Sequence, residues 1–132
     1  MNRLPLGSGA MTVSRAPAPQ ETLLHIAERH RWESARDLGV SYTMSTLGRT
    51  LDEEGFIHCS KDLAQVRGVL SRFYGGIDPA DLVLLVIDTA KLDVPVRYER
   101  APDAAGDELF PHVYGPIPLD AVIDVRSVPA NR

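Results

Sequence analysis

The segment 82–87 reads LVLLVI, an uninterrupted apolar run of strand length. Side chains alternate between the two faces of a strand, so Leu84 and Val86 share one face, and Leu85 and Ile87 share the other. Because both faces are apolar, the run predicts a strand that is covered on both sides by other parts of the fold.

The flanking sequence alternates between strand-like and helix-like patterns. Further strands are predicted at 22–27, 56–59, 94–99, 112–114 and 121–128. A first helix is predicted over 28–38, with Trp32 and Ala35 facing inward and Gly39 as its stop. A second helix begins after Ser60, the predicted N-cap, and ends at the Gly-Gly pair 75–76. Together these elements predict a single α+β domain with five or six strands and two main helices.

The second helix carries an apolar stripe at helical spacing. The residues predicted to face the core are Leu63, Val66, Val69, Leu70 and Phe73. The stretch 40–54 has no clean period and is predicted to be a loop with one helical turn, and 101–107 is predicted to be a surface loop.

Composition limits the possible classes of protein. The chain has 132 residues, 44% hydrophobic and 24% charged, which is typical of one globular domain. A net charge of −4 offers no basic surface for nucleic acid or an anionic membrane, and no apolar run approaches the roughly 18 residues of a membrane helix. The single cysteine, Cys59, excludes an internal disulfide and fits a reducing compartment, so we expect a cytoplasmic protein.

The first twenty residues differ from the rest of the chain. Residues 1–20 mix Gly, Ser, Pro and Ala, which predicts a disordered tail, with Met11 as an alternative start to Met1. The folded domain is predicted over 21–129. The sequence leaves the oligomeric state open.

Three of the four histidines lie in predicted strands among apolar, Gly or Pro residues. They are His25, His58 and His112. An imidazole is costly to bury without a hydrogen-bond partner, so three such residues in separate strands suggest one shared polar site. His30 lies between two arginines and is predicted to be a surface residue.

Each candidate also has a structural interpretation. His25 is as compatible with a core histidine bonded to a backbone carbonyl as with a site residue. Ser60 opens a helix whose free N–H groups could bind an anion, and Arg72 could meet a phosphate or form only a surface ion pair. Tyr114 is compatible with packing. Glu54 is interpreted as a turn residue that can reach the cleft.

Four segments resemble a small bacterial family of unknown function, family 952, in chain order from about Leu23 to about Val125. The segments are 54–60 (EGFIHCS), 72–74 (RFY), 81–88 (DLVLLVID) and 110–116 (FPHVYGP). That family looks like a compact relative of the ADP-ribosyltransferase fold. The resemblance implies a split, mainly antiparallel sheet that binds NAD in a central cleft.

The resemblance also implies roles for individual residues. His25 stands where a first-strand residue holds a ribose hydroxyl of NAD, and Phe56, His58 and Ser60 fall in the segment that flanks the nicotinamide. The late-strand segment, where such enzymes place a glutamate, offers His112 and Tyr114 and no carboxylate. Glu108 lies four residues upstream of His112.

Three functions follow as hypotheses. The first is an NAD-dependent transferase or glycohydrolase that acts on the nicotinamide–ribose bond, with His58 and His112 as catalytic residues. In this hypothesis His25, Phe56, Ser60, Arg72 and Tyr114 bind the ligand. The second is a module that binds a nucleotide or another phosphorylated small molecule without turnover. The third, ranked last, is a zinc site built from the three histidines, so no metal is expected.

Overall fold

The two sheets of the fold share a hydrophobic core, and the apolar strand 82–87 is part of it. The computed structural model describes residues 21–101 and 106–129, and these contain six strands and three α-helices. In chain order they are β1 Thr22–Glu28, α1 Arg29–Leu38, α2 Leu51–Glu54, β2 Ile57–His58, α3 Leu63–Phe73, β3 Leu82–Asp88, β4 Val96–Arg100, β5 Leu109–Val113 and β6 Val122–Arg126. The predicted α+β class with an antiparallel, split sheet is confirmed.

All strand pairs named here are antiparallel. The first sheet has the order β1–β3–β6 and the second the order β2–β5–β4. In the described part of the chain, the two sheets are joined by an isolated bridge between Leu24 and Ser60. The amide of Leu24 donates to the carbonyl of Ser60 at 2.8 Å, and the amide of Ser60 donates back to the carbonyl of Leu24 at 2.7 Å. The sheet is therefore continuous through one bridge and split on either side of it.

Strand β3 is covered on both faces, as its sequence predicts. Leu85 and Ile87 belong to a core cluster that also holds Trp32 and Ala35 of α1 and residues of the second sheet. The alternate residues of β3 pack with α3 in a second cluster. Each face of the strand thus has its own layer, which explains why the run contains no polar residue.

Helix α3 begins later than its sequence predicts. Asp62 is the N-cap, and its side chain accepts a hydrogen bond from the amide of Gln65 at 2.9 Å. The prediction of Ser60 as the cap is wrong because the backbone of Ser60 is committed to the bridge with Leu24. The helix ends at Phe73, before the Gly-Gly pair, with Tyr74 as its C-cap.

The two ends of the apolar stripe on α3 also differ from expectation. Val66, Val69 and Leu70 are buried, but Leu63 is 43% exposed and Phe73 is 45% exposed. The first and last turns of α3 extend past the core cluster that the middle of the helix packs against. Predicting Leu63 and Phe73 as core residues was therefore wrong.

The stretch predicted as loop contains one short helix. Thr50 caps α2 through a capping box, in which its side chain accepts from the amide of Glu53 and the Glu53 carboxylate accepts from the amide of Thr50. The predicted tail at 1–20 and part of the predicted loop at 101–107 lie outside the described residues. Among the described helices, none has the length and apolar character needed to cross a bilayer.

Candidate functional site

A cleft with a volume of about 290 Å³ opens between the second sheet, α3 and the segment that precedes α2. Its walls are mostly apolar or aromatic, and three side chains bring a charged group or an imidazole to it: Arg49, Glu54 and His58. The complete lining consists of Thr46, Leu47, Arg49, Glu54, Phe56, His58, Val69, Phe73, Tyr74 and Ala101. This is the cleft to which the predicted site residues are compared below.

His58 reaches the cleft from β2. Its ring lies 5.1 Å from the ring of Phe110 and 5.3 Å from the ring of His112, measured between centroids. Burial, and to a smaller extent repulsion from positive charge on His112, His25 and Arg72, lowers the pKa of His58 to about 3. At neutral pH His58 is therefore an uncharged imidazole, which can donate one hydrogen bond and accept another.

His112 lies beside His58 because the two residues are direct partners in the pairing of β2 with β5. The ring of Phe56 stacks on the ring of His112 with 4.0 Å between centroids and 11° between planes. His112 is only 1% exposed, whereas Phe56 lines the cleft. Phe56 thus covers His112 from the cleft side.

Glu99 holds His112 from the other side, and the sequence interpretation missed it. One carboxylate oxygen, Oε1, lies 2.8 Å from Nδ1 of His112 and accepts a hydrogen bond from the Tyr114 hydroxyl at 2.5 Å. The bond from Tyr114 and then the bond from His112 hold the pKa of Glu99 below its ordinary value. The available signal was the pairing of β4 with β5, which places Glu99 opposite Phe110 and on the same face as His112.

His25 is not brought together with the other two histidines. It shares a face of β1 with Leu23 and Ala27, both members of the core cluster on the side away from α3. Its Nδ1 lies 2.7 Å from the backbone carbonyl of His58, and its Nε2 lies 2.9 Å from the hydroxyl of Tyr42. Both ring nitrogens are therefore paired inside the protein, and a direct contact of His25 with a ligand stays a prediction with no unpaired ring nitrogen to support it.

Burial lowers the pKa of His25 to about 4, and the hydrogen bond to the His58 carbonyl opposes this effect. A carbonyl can only accept, so Nδ1 carries the proton and Nε2 accepts from Tyr42. In this arrangement His25 fixes the position of β2, and thereby of the His58 side chain, from behind the strand.

Three other predicted ligand-binding residues, Ser60, Arg72 and Tyr114, are not among the residues that line the cleft. Ser60 is buried at the bridge between the sheets. Arg72 is exposed, with its guanidinium 5.6 Å from the centroid of the Phe73 ring. Tyr114 is half-buried against Glu99. Contacts of these three residues with a ligand stay predictions.

Glu54 reaches the cleft and is held there by two neighbours. Ser45 Oγ donates to Oε1 of Glu54 at 3.1 Å and accepts from the amide of His58 at 3.2 Å. The Arg49 guanidinium lies 3.9 Å from Oε2 of Glu54. A carboxylate, a cation and a neutral imidazole are therefore adjacent to one cavity.

The described residues support neither a reactive thiol at Cys59 nor a metal site built from histidines. Cys59 is buried and shares the core cluster with Ile57 on the face opposite to His58, and burial raises the pKa of its thiol. Among residues 21–101 and 106–129, no three His, Cys, Asp or Glu side chains converge on a position for a metal ion. Because His25 faces away from His58 and His112, the three-histidine zinc hypothesis has no ligand set there.

The fold and the site define a small α+β protein with a split antiparallel sheet and an imidazole-containing cleft. Over residues 26–125 the chain matches the family described as protein of unknown function (DUF952). It therefore belongs to that family, as its signature segments suggested.

Similar solved structures are those of protein CC0527 from Caulobacter crescentus and of a double mutant of it. They are 24% and 23% identical to this chain, and each match has a TM-score of 0.62 and covers 79% of this chain and 82% of the other. At this identity the likeness supports the fold. A search among curated proteins finds no match.

Proposed function

We propose that the cleft binds NAD or a related nucleotide. The observation that carries this proposal is the combination of flat apolar walls with three different polar groups in one cavity. Phe56, Phe73 and Tyr74 suit a heteroaromatic base or a nicotinamide ring. Glu54 and His58 suit sugar hydroxyl groups, and Arg49 suits a phosphate.

The size of the cleft limits how much of such a ligand it encloses. Pockets for drug-sized ligands span about 300–1,000 Å³, and this cleft holds about 290 Å³. It can therefore enclose one nucleoside-sized part of a dinucleotide, while the remainder lies across the open mouth. Arg49, which lies just before α2, and Arg72, which lies on α3, are both exposed and can bind phosphates.

Cleavage of the nicotinamide–ribose bond is a second candidate function. The resemblance to the ADP-ribosyltransferase fold that we inferred from the sequence would imply this reaction, and its oxocarbenium-like transition state needs a nearby negative charge. Glu54 supplies a carboxylate in the cleft itself, where the late-strand segment has none. A neutral His58 can act as a hydrogen-bond partner, and His112 is the second imidazole beside it.

Nucleotide binding is tested by thermal unfolding with added NAD. A ligand that binds only the folded state at 100 times its Kd stabilises that state by about 2.7 kcal/mol. We expect NAD to raise the Tm of the wild type and His58→Ala to abolish the increase while leaving the unliganded Tm close to that of the wild type. His30→Ala is the matched control because His30 is an exposed histidine on α1. An equal shift in both variants, or no shift in the wild type, contradicts the proposal.

Turnover is tested separately by the release of nicotinamide from NAD. Release by the wild type that falls by a factor of about 10² or more in His112→Ala supports an imidazole-assisted cleavage. Binding without release identifies a binding module. Glu54→Gln tests the carboxylate in the same assay, and Glu53→Gln, on the exposed side of α2, is its control.

A further inference from the structure

We infer that Glu99 is a positioning residue that keeps the proton of His112 on Nδ1, so that Nε2 is an acceptor for a hydroxyl or N–H group of the ligand. The assignment of the tautomer is independent of the ligand. The ligand contact rests on the proposed nucleotide-binding function.

The tautomer follows from the hydrogen bonds around Glu99. Its Oε1 already accepts from the Tyr114 hydroxyl, and the same oxygen lies 2.8 Å from Nδ1 of His112. An ionised carboxylate has no proton to donate, and the lowered pKa of Glu99 keeps it ionised at neutral pH. A bare Nδ1 would face the carboxylate lone pair to lone pair, so Nδ1 must carry the hydrogen.

The other ring nitrogen has no partner. In the described part of the chain, Nε2 of His112 is a fully buried side-chain nitrogen without a hydrogen bond. An unpaired polar group loses its hydrogen bonds to water on burial and gains none in the protein, and native proteins rarely keep such a group without a reason. In a neutral ring with the proton on Nδ1, this nitrogen is an unused acceptor.

The position of His112 near the cleft indicates which donor groups could bind to its free acceptor nitrogen, Nε2. One ring layer separates His112 from the cleft, because Phe56 stacks on it and His58 lies beside it, and both line the cavity. Phe56 is half-buried and lines the cleft. The lone pair of Nε2 lies in the plane of the imidazole, so a ligand donor must approach the edge of the His112 ring and cannot reach Nε2 by stacking on its face. A ligand that displaces Phe56 opens that approach. A ribose hydroxyl or a carboxamide N–H has the required chemistry.

The role of Glu99 is tested by NMR on the full chain with ¹⁵N-labelled histidine, without ligand, at pH 7. The His112 signals are assigned by their loss in His112→Asn. We expect the wild type to show the Nδ1–H form. Glu99→Ala should shift the tautomer ratio roughly tenfold or more towards Nε2–H, the form that a free histidine side chain favours, which corresponds to about 1.4 kcal/mol. Glu99→Gln retains an acceptor oxygen and should largely restore the Nδ1–H form.

Glu21→Ala is the control matched to Glu99→Ala, because Glu21 accepts a hydrogen bond of 2.7 Å from the hydroxyl of Tyr98, also on β4. This variant loses a tyrosine–carboxylate pair that involves no histidine. The inference is overturned by an Nε2–H tautomer or a doubly protonated ring in the wild type. It is also overturned by a tautomer ratio that is the same in Glu99→Ala as in the wild type.

The ligand contact is tested by adding NAD to the labelled wild type. Acceptance of a hydrogen bond should move the Nε2 resonance upfield while Nδ1 stays protonated. If NAD binds and the resonance does not move, the ligand contact is overturned and nucleotide binding stands. If the free protein already shows a hydrogen-bonded Nε2, a buried water is the partner and the ligand contact is overturned. If NAD does not bind, the proposed function and the ligand contact both fail, and the tautomer data still decide the role of Glu99.

Discussion

Burying an imidazole is tolerable when the ring stays neutral and both nitrogens find partners, and His25 meets both conditions. Nδ1 donates to the carbonyl of His58, and Nε2 accepts from Tyr42. Protonation would place a charge in the core and remove the acceptor for Tyr42. His25 is therefore a source of acid sensitivity in this fold.

The pH dependence has a definite sign. The pKa of His25 is about 4 in the folded protein and 6.5 for an unperturbed histidine, so the unfolded chain binds the proton more readily. The stabilising contribution is complete above about pH 6.5 and is lost as the pH falls towards 4, to an extent on the order of 3 kcal/mol. We expect His25→Gln to flatten the dependence of the unfolding free energy on pH across this range.

Urea unfolding at several pH values from 4 to 7 measures this slope. Carboxylates that titrate in the same range are common to both proteins, so the difference between wild type and variant isolates His25. His30→Gln should keep the wild-type slope, since His30 is exposed. An unchanged slope in His25→Gln would mean that this imidazole is not buried in the neutral form.

At the scale of the elements, β3 carries the largest predicted effect on stability. Leu85 is fully buried between β1 and β6, where it is opposite His25 and Val125. Leu85→Ala removes most of a packed side chain and should cost about 2–5 kcal/mol in unfolding free energy. Chemical denaturation measures it, and Val125→Ala should cost below about 0.5 kcal/mol, because Val125 is exposed on the edge strand β6. Equal costs would contradict the two-sided burial of β3.

The helices and strands also show which sequence patterns were sufficient to predict their positions. The apolar run of β3 and the left-handed Gly39 after α1 gave correct assignments because each depends on local chemistry. The start of α3 did not follow from local preference, since Ser60 and Asp62 are both good caps. The choice between them was made by a long-range bond from Ser60 to Leu24, which no pattern within the helix encodes.

At the scale of the whole molecule, some residues of the candidate site could also be predicted from local sequence, whereas the positions of others depend on long-range contacts. The sequence predicted one site shared by His25, His58 and His112, and the structure places His58 beside His112 through the pairing of β2 with β5. The position of His25 could not be predicted, because one residue of register in β1 decides which face of the sheet it occupies. Glu54 was interpreted from the sequence as able to reach the cleft, but Glu99 reaches the site from β4, so finding it required the pairing of β4 with β5.

The single bridge between Leu24 and Ser60 has a mechanical consequence for this arrangement. Each sheet has its own ladder of backbone hydrogen bonds, whereas two backbone bonds between Leu24 and Ser60, reinforced by the bond from His25 to the carbonyl of His58, join the two sheets. The backbone bonds at this joint are fewer than those along β1–β3 or β4–β5. We therefore expect relative motion of the two sheets to concentrate at the joint, and hydrogen exchange at the amides of Leu24 and Ser60 measures it.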